Sequence, residues 1–359
     1  MDPVTLDDLD RQLLHALQVD GRAPFSQIAD VLGVSDRTVA RRYARLHAAG
    51  AARVLGLADS RRTGRFEWFV RIRCLPDGAR AVGAALARRP DVSWVTLLSG
   101  GTEISCLVRS ADRVESDGPI LLEKLTRTPR VVSVGAQQVL RSFADDDSGW
   151  RVRTSALTEE QTEALRPAYG GDEVSRTAGD EDGSRIGLTE LDERLLPVLA
   201  VDGRAPYSRM ARTVGWSESV VRRRLEELRR ARALIFNVET DPRLFGYTAE
   251  CMMWLTVAPG RVPAVAETLV RDTEIAFAAA TTGQAGLVAY VVCRDMDAMY
   301  DYLTRRVGTL PGVQQMESVP VTGYAKRVGT VHPPTATREE TAHCRVWQGG
   351  SPRWTGPAR

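Results

Sequence analysis

The sequence is poor in the residues that most often carry enzyme chemistry. Histidine occurs four times and cysteine five times, and no two cysteines form a CxxC pair. Metal sites and acid–base catalysis both depend on such side chains gathered at one place. We therefore expect no metal site, no cofactor and no catalytic residue.

Long apolar stretches are missing as well. No run approaches the ~18 apolar residues that a membrane-spanning helix needs, and the N-terminus has no apolar signal-peptide core. The expectation is a cytoplasmic, nucleoid-associated protein without a membrane partner.

Lysine is almost absent, with Lys124 and Lys326 the only two, so arginine supplies nearly all of the 48 basic residues. Because 46 acidic residues leave a net charge of only +2, any surface for nucleic acid has to be local. Such a surface is predicted between residues 37 and 53, which contain five arginines and no acidic residue.

An internal repeat dominates what the sequence does contain. LDDLDRQLLHALQVDGRAPFSQIADVLGVSDRTVARRYARL at residues 6–46 returns at 188–228 with a constant offset of 182. Between Leu6 and Arg42, 19 of the 37 positions are identical in the two copies. This identity indicates a duplication.

Each copy predicts three short helices. In the first copy, Leu9, Leu13 and Leu17 form the apolar face of one helix, and the turn residues at 20–24 (DGRAP) end it. Gly33 supplies the tight turn between the second and third helices, which is the pattern of a helix-turn-helix unit. The arginines of the third helix point away from its apolar stripe, as in a helix that enters the DNA major groove.

We expect the third helix of each copy to contact double-stranded DNA. Arg37, Thr38 and Arg41 are placed for base edges, and Arg42 and Arg45 are placed for phosphates. The predicted DNA-binding residues are Ser35, Arg37, Thr38, Arg41, Arg42, Arg45, Ser217, Ser219, Arg222, Arg223 and Arg224. The serine that precedes each of these helices is first of all a helix cap. The alternative is a structural three-helix unit with a solvated basic face.

The remainder of each half predicts a sheet domain with two helices. After a short connecting strand at 53–58, strands at 68–75, 92–98, 103–109 and 131–140 alternate with helices at 77–88 and 111–126. In the second half, strands at 252–257, 275–280, 286–292 and 313–319 alternate with helices at 262–272 and 295–307. The order βαββαβ is the ferredoxin-like motif. The predicted fold class is therefore α+β, with two tandem units of a helix-turn-helix domain followed by a ferredoxin-like domain.

The predicted boundaries follow from these units. The helix-turn-helix domains span 1–52 and 188–234, and the ferredoxin-like domains span 53–142 and 235–328. A linker at 143–187 includes a possible short helix at 157–165 and a polar, flexible stretch at 170–187. The tail at 329–359 is expected to be disordered.

Several residues of the first half carry a likeness to a known family. They are Leu9, Asp10, Leu13, Leu14, Leu17, Asp20, Gly21, Arg22, Ser35, Val39, Arg42, Leu46 and Gly50, with the turn Ser99-Gly100-Gly101-Thr102-Glu103. With the order of elements, these resemble the leucine-responsive/asparagine-C (Lrp/AsnC) transcription regulators over about 6–141 and 188–325. The resemblance implies a sequence-specific DNA-binding regulator. It also implies ferredoxin-like domains that self-associate and bind a small effector, commonly an amino acid.

The family pattern at the effector turn is a glycine, two residues and a carboxylate. Gly100 and Glu103 match it, whereas Gly283 of the second half is followed by Gly286 at the carboxylate position. The effector-binding residues implied by the resemblance are Gly100, Gly101, Thr102, Glu103 and Gly283. A ligand ammonium would pair with Glu103, and the first half is its expected home. The alternative is a plain hairpin turn with a solvated glutamate.

The second helix-turn-helix copy departs from the first. Pro197 falls inside its first helix, where it removes a hydrogen bond at a cost of about 3 kcal/mol unless the helix kinks. Trp216 replaces Val34 in the turn. We therefore expect the first copy to dominate binding to an imperfect inverted repeat, with the second contributing mostly phosphate contacts. Because both copies lie on one chain, a single-chain pseudo-dimer is possible, reading major grooves about 34–36 Å apart.

Two other classes of function stay open. One is an enzyme, because proteins with the same two-domain build include the sirohaem decarboxylases, although neither ferredoxin-like domain of this chain contains a histidine. The other class is a protein that modulates a related regulator by sheet pairing without contacting DNA. The arginine pairs retained at 41–42 and 223–224 argue against that class.

Overall fold

The computed structural model describes residues 5–110, 124–143, 153–167 and 185–327. The helices are α1 (Asp8–Val19), α2 (Phe25–Leu32), α3 (Asp36–Ala48), α4 (Ala79–Ala87), α5 (Glu159–Leu165), α6 (Glu190–Val201), α7 (Tyr207–Val214), α8 (Glu218–Arg230), α9 (Val262–Val270) and α10 (Met296–Asp301). The strands are β1 (Ala52–Ala58), β2 (Phe66–Cys74), β3 (Val92–Leu98), β4 (Glu103–Ser110), β5 (Val131–Ser142), β6 (Leu234–Thr240), β7 (Ala249–Val257), β8 (Ile275–Thr281), β9 (Leu287–Cys293) and β10 (Val313–Lys326).

Some predicted segments lie wholly or partly outside the described residues. Residues 124–126 of the helix predicted at 111–126 are helical, and its residues 111–123 lie outside. The tail predicted at 329–359 and most of the linker's polar stretch at 170–187 lie outside as well. Within the described residues, none of the helices combines the length and the apolar composition that crossing a membrane requires.

The first helix-turn-helix domain has the three helices that its sequence predicts. Asp7 begins α1 with a capping box that includes Asp10, and Gly33 ends α2 in the left-handed conformation at φ 65°. Ser35 caps α3 by accepting a hydrogen bond from the Thr38 amide. The apolar faces of these helices form one core with those of the second helix-turn-helix domain.

The second helix-turn-helix domain repeats this framework. Thr189 and Asp192 form the capping box of α6, Gly215 ends α7 in the left-handed conformation, and Ser217 caps α8. Helix α6 runs without a break through Pro197, which has no N–H to donate within the helix. The proline therefore interrupts the hydrogen bonding of α6 but not its course.

A two-stranded sheet that the sequence analysis did not predict joins the two halves. Strand β6 pairs antiparallel with β1, and the register places Leu55 opposite Asn237, which are themselves 182 positions apart. A pseudo-twofold axis therefore passes through this pair. The domain boundary predicted at 234 falls one residue into β6, a short strand whose pairing partner lies in the other half of the chain.

The two ferredoxin-like domains close into one eight-stranded barrel in the order β10-β3-β4-β2-β5-β8-β9-β7. Two of the pairings join the halves, β5 with β8 and β10 with β3. Both depend on strand ends longer than predicted. The strand predicted at 313–319 continues to Lys326, and Pro320 lies where β10 leaves β7 for β3.

Apolar side chains occupy the space between the two sheets together with a hydrogen-bonded group of Glu250, Tyr290 and Tyr324. Leu98, Met252, Trp254, Val288 and Val319 are buried there in one cluster. Each sheet has a further apolar cluster between its other face and its helices. The sheet domains thus pair within one chain, which the sequence left undecided.

The described part of the linker packs against the first helix-turn-helix domain. Helix α5 confirms the short helix predicted at 157–165, and Leu165 is buried against that domain. The amides of Ala156 and Leu157 both donate to His15 Nδ1, each at 3.0 Å. At the other end of this segment, Arg153 donates to the Val292 carbonyl of the second barrel half at 2.8 Å.

Candidate functional site

Helices α3 and α8 are the two predicted recognition helices, related by the offset of 182. On α3, Arg37 and Arg41 are exposed, and neither guanidinium has an ion-pair partner among the described residues. The Thr38 hydroxyl lies 2.8 Å from that of Ser35. The start of α3 therefore presents two arginines that are available to a ligand.

The other two predicted arginines of α3 have intramolecular partners. Arg42 Nη1 donates to Asp7 at 2.6 Å and to Asp10 at 3.0 Å, and Arg45 forms an ion pair with Asp10. The Asp10 carboxylate is completely buried, whereas the Arg45 side chain is 50% exposed. The side-chain hydrogen bond to Asp7 raises the pKa of Arg42 above its ordinary value. Arg42 therefore holds α3 against α1, and Arg45 remains partly accessible.

The second domain keeps the same clamp between its first and third helices. Arg224 Nη2 donates to the buried Asp192 at 2.7 Å, and Arg224 Nη1 lies 3.1 Å from Glu227. Only 15% of the Arg224 side chain is exposed. An aspartate and an arginine identical in both copies of the repeat were the sequence signal for this clamp, which the sequence analysis missed.

The exposed arginines of α8 also have acidic neighbours. Arg222 lies 3.3 Å from Glu218 and over the Tyr207 ring at 4.5 Å. Arg223 lies 3.8 Å from Glu227. The two remaining predicted residues are exposed, with the Ser217 and Ser219 hydroxyls 3.1 Å apart. The two recognition helices therefore differ in the charge they present.

The predicted effector turn lies between β3 and β4. Gly100 and Gly101 have φ values of 66° and 87°, and a Cβ added to either would meet no atom within 4 Å. The Thr102 hydroxyl donates to the Ser99 carbonyl at 2.9 Å. The turn therefore needs glycine for its backbone conformation and leaves open space beside it.

Glu103 follows this turn but is not solvated. Its buried carboxylate accepts from Arg71 Nε at 2.5 Å and from Arg71 Nη2 at 3.0 Å, and Arg73 Nε lies at 3.4 Å. Arg71 also donates to Glu317 of β10 and lies over the Trp254 ring at 4.2 Å. The alternative of a solvated glutamate is therefore wrong, because Glu103 takes part in a network that joins the two halves.

The predicted glycine of the second half lies in a different turn. Gly283 has φ 97°, and a Cβ on it would lie 3.1 Å from the Gln137 side chain of β5. The Gln138 amide donates to the neighbouring Thr282 hydroxyl at 2.9 Å. The second turn is thus packed against the first half, whereas the first turn is open.

Three segments of the chain match known domain families. Residues 6–47 and 188–229 each match the AsnC-type helix-turn-helix domain, and residues 250–330 match the Lrp/AsnC ligand binding domain. An uncharacterized HTH-type transcriptional regulator of Pyrococcus furiosus is 31% identical over 150 residues, which are 39% of this chain and 98% of that protein. The chain belongs to the Lrp/AsnC family.

A further regulator and a solved structure are also similar to this chain. The HTH-type transcriptional regulator FL11 of Pyrococcus abyssi is 28% identical over 131 residues, 36% of this chain and 86% of that protein. The crystal structure of the siroheme decarboxylase NirDL superposes with a TM-score of 0.58 at 14% identity, covering 96% of this chain and all of that one. The likeness to the siroheme decarboxylase concerns the tandem fold alone. As an Lrp/AsnC protein, the chain is a DNA-binding transcriptional regulator with a domain for a small-molecule effector.

Proposed function

We propose that this regulator binds an imperfect inverted repeat as a single-chain pseudo-dimer in which α3 reads bases and α8 mainly contacts the backbone. One observation carries the proposal. Arg37 and Arg41 are exposed without ion-pair partners among the described residues, whereas Arg222 and Arg223 of α8 each have a glutamate neighbour.

The electrostatic consequence favours α3. An arginine that approaches DNA without a prior partner loses only its hydration, whereas Arg222 and Arg223 would also leave Glu218 and Glu227. Those glutamates also repel phosphates at close range. Arginine beside the start of a recognition helix is well suited to guanine O6 and N7.

Selection of sheared genomic DNA on the purified protein at about 150 mM salt tests this function. Enrichment of a few upstream regions that share an imperfect inverted repeat is the expected result. Retention without a shared site would indicate a general nucleoid-type binder. No retention would exclude DNA reading and favour a protein that acts through a related regulator.

We further propose an amino-acid effector at the open turn of the first half. Arg73 and Glu317 are 61% and 50% exposed and lie 4.0 Å apart, next to Glu103. An exposed cation beside an exposed anion matches the carboxylate and ammonium of a zwitterion. Arg71 binds both Glu103 and Glu317, so in this proposal the exposed Glu317 accepts from both the ammonium and Arg71, and the buried Glu103 orients Arg73.

Thermal-shift titration with a panel of amino acids tests the effector site. We expect at least one amino acid to stabilise the wild type and to lose that effect in Arg73→Ala and in Glu317→Gln. Arg88→Ala, an exposed arginine on the same domain, is the matched control. Stabilisation that persists in both site variants would place the ligand elsewhere, including the second half that matches the family's ligand-binding domain.

A decarboxylase-like enzyme is the second candidate, favoured by the fold likeness over 96% of the chain. The buried side chains described between the sheets argue against it, since they leave no large cavity among themselves for a substrate. Visible absorbance of a bound tetrapyrrole in the purified protein would support the enzyme and weaken the regulator.

A further inference from the structure

We propose that Arg22 and Arg204 are positioning residues that fix the distance between the two recognition helices and thereby select the spacing of the DNA half-sites. The inference rests on the proposed function. Its starting point is the segment DGRAP, identical at 20–24 and 202–206, for which the sequence predicted a turn at the end of a helix and no contact between the two halves.

The two arginines form a reciprocal clasp across the pseudo-twofold axis. Arg22 Nη1 donates to the Gly203 carbonyl at 2.7 Å and to the Ala205 carbonyl at 3.3 Å. Arg204 Nη1 donates to the carbonyl of Gly21 at 2.7 Å, and its Nη2 donates to that of Ala23 at 2.9 Å. Each guanidinium thus binds, in the other domain, the two carbonyls on either side of its own counterpart.

Aromatic rings hold both guanidinium groups in place. Arg22 lies over the Tyr207 ring at 4.8 Å, and Arg204 lies over the rings of Phe25 at 4.3 Å and Tyr43 at 5.6 Å. Burial lowers the pKa of both arginines from the ordinary value. A planar group with in-plane donors and ring contacts on its faces has little freedom to shift, and lysine cannot reproduce that geometry.

The loops that carry these arginines also press on the sheet between the domains. A Cβ on Gly21 would lie 2.7 Å from Cβ of Phe236, and one on Gly203 would lie 2.9 Å from the Leu55 carbonyl carbon. Both glycines are therefore required by close approach. Because Leu55 lies on the pseudo-twofold axis, the loop that contains Gly203 is held against the axis itself.

The clasp reaches both recognition helices directly. Tyr43, which contacts Arg204, belongs to α3. Arg229 in the last turn of α8 forms an ion pair with Asp20 of the first loop at 2.8 Å, and both side chains are largely buried. A change in the clasp is therefore transmitted to α3 through Tyr43 and to α8 through Arg229.

A rigid connection of this kind predicts a narrow tolerance for half-site spacing, because a change in spacing both rotates and translates one half-site relative to the other. Flexible attachment would let the two domains engage half-sites over a range of separations. Spacing selectivity is thus a property that the clasp controls separately from the affinity of each domain.

The first test uses a DNA library with two fixed half-sites and a spacer of varied length. We expect the wild type to prefer one spacing by at least about tenfold, and Arg22→Lys or Arg204→Lys to reduce that preference to about threefold or less. Affinity for a single half-site should stay unchanged in these variants, which also confirms that they fold. Arg194→Lys, which alters an arginine 5.2 Å from a ring outside the clasp, is the matched control.

The second test needs no DNA and so separates the inference from the proposed function. The distance between α3 and α8 is measured between spin labels attached to Ala44→Cys and Glu226→Cys, which are exposed and equivalent positions on the two helices. The labels are placed in the full chain with Cys344→Ser. A narrow distance distribution that broadens in Arg22→Lys supports the clasp even if no operator is found. An unchanged distribution, or a spacing preference that the lysine variants retain, would overturn it.

Discussion

The two helix-turn-helix domains share a framework and differ on the surface that would face DNA. Both keep the capping box, the left-handed glycine and the buried aspartate–arginine clamp. On the recognition helix, Arg37, Thr38, Ala44 and Arg45 correspond to Ser219, Val220, Glu226 and Glu227. The duplication has therefore retained the interactions that build each domain, while the charge of the two recognition surfaces has diverged.

This difference also separates two kinds of arginine that look alike in the sequence. Arg41 and Arg42 are neighbours, yet one is exposed and the other binds two carboxylates of α1. Arg223 and Arg224 differ in a similar way, since Arg223 is exposed and Arg224 binds the buried Asp192 of α6. In each retained pair, one arginine is thus exposed on the recognition surface and the other holds two helices of the domain together.

Removing the exposed arginines of each recognition helix should produce the largest difference between the two domains, measured as loss of operator affinity. We expect Arg37→Ala with Arg41→Ala to weaken operator binding about 10²–10³-fold, since each good base contact is worth about 1–3 kcal/mol. Arg222→Ala with Arg223→Ala should cost less than about tenfold, because both arginines start from glutamate neighbours. Fluorescence anisotropy titrations at fixed salt measure both losses. Equal losses would contradict the assignment of base reading to α3.

Removing the buried aspartate should instead affect the two domains alike. Asp10→Ala and Asp192→Ala each leave a clamp arginine without its buried partner, and we expect a local loss of about 3 kcal/mol. Hydrogen exchange of α3 and α8 amides measures each loss in its own domain. Asp8→Ala, which removes an exposed aspartate of α1, should change protection by less than about 0.5 kcal/mol. A loss that spreads equally to both domains would argue against separate clamps.

The described linker segment packs on the first helix-turn-helix domain, which is a further difference between the two domains. Leu165→Ala should reduce the protection of α2 by about 2 kcal/mol through the cavity it leaves, with little effect on α7. Glu163→Ala, an exposed change on the same helix, is the control. Equal effects on α2 and α7 would mean that the linker supports the whole pair of domains.

Lowering the pH should have the smallest of these effects on the stability of the second domain. Burial opposes ionisation of Asp192, but hydrogen bonds from Arg224 and Thr189 prevail and lower its pKa below the ordinary 3.8. A lowered folded-state pKa stabilises the domain fully above the unfolded value, and this contribution is lost as the pH falls through the folded value. We expect α8 protection to be constant from pH 7 to about 5 and to fall below about pH 4. Asp192→Asn should flatten that fall, and an unchanged acid profile would contradict the role of this carboxylate.

The sequence predicted the local elements well because their signals are local. Caps, left-handed glycines and apolar periodicity placed α1–α3 and α6–α8, and βαββαβ ordered the strands. It did not predict the pairing of β6 with β1 or the extension of β10 past Pro320, since both depend on partners from the other half. The partners of Arg42 and Glu103 were missed for a similar reason, because they lie more than thirty residues away or on a neighbouring strand.

The closure of one barrel by strands of both halves has a consequence for how occupancy depends on protein concentration. A regulator assembled from two separate subunits dissociates on dilution, so its active form falls with the square of subunit concentration. Here β5–β8 and β10–β3 pairing is intramolecular, and both DNA-binding domains stay together at any concentration. Site occupancy should then follow the first power of chain concentration. Because the two domains differ, each bound chain would also have a defined polarity along the DNA, with one end of the site always facing the first domain.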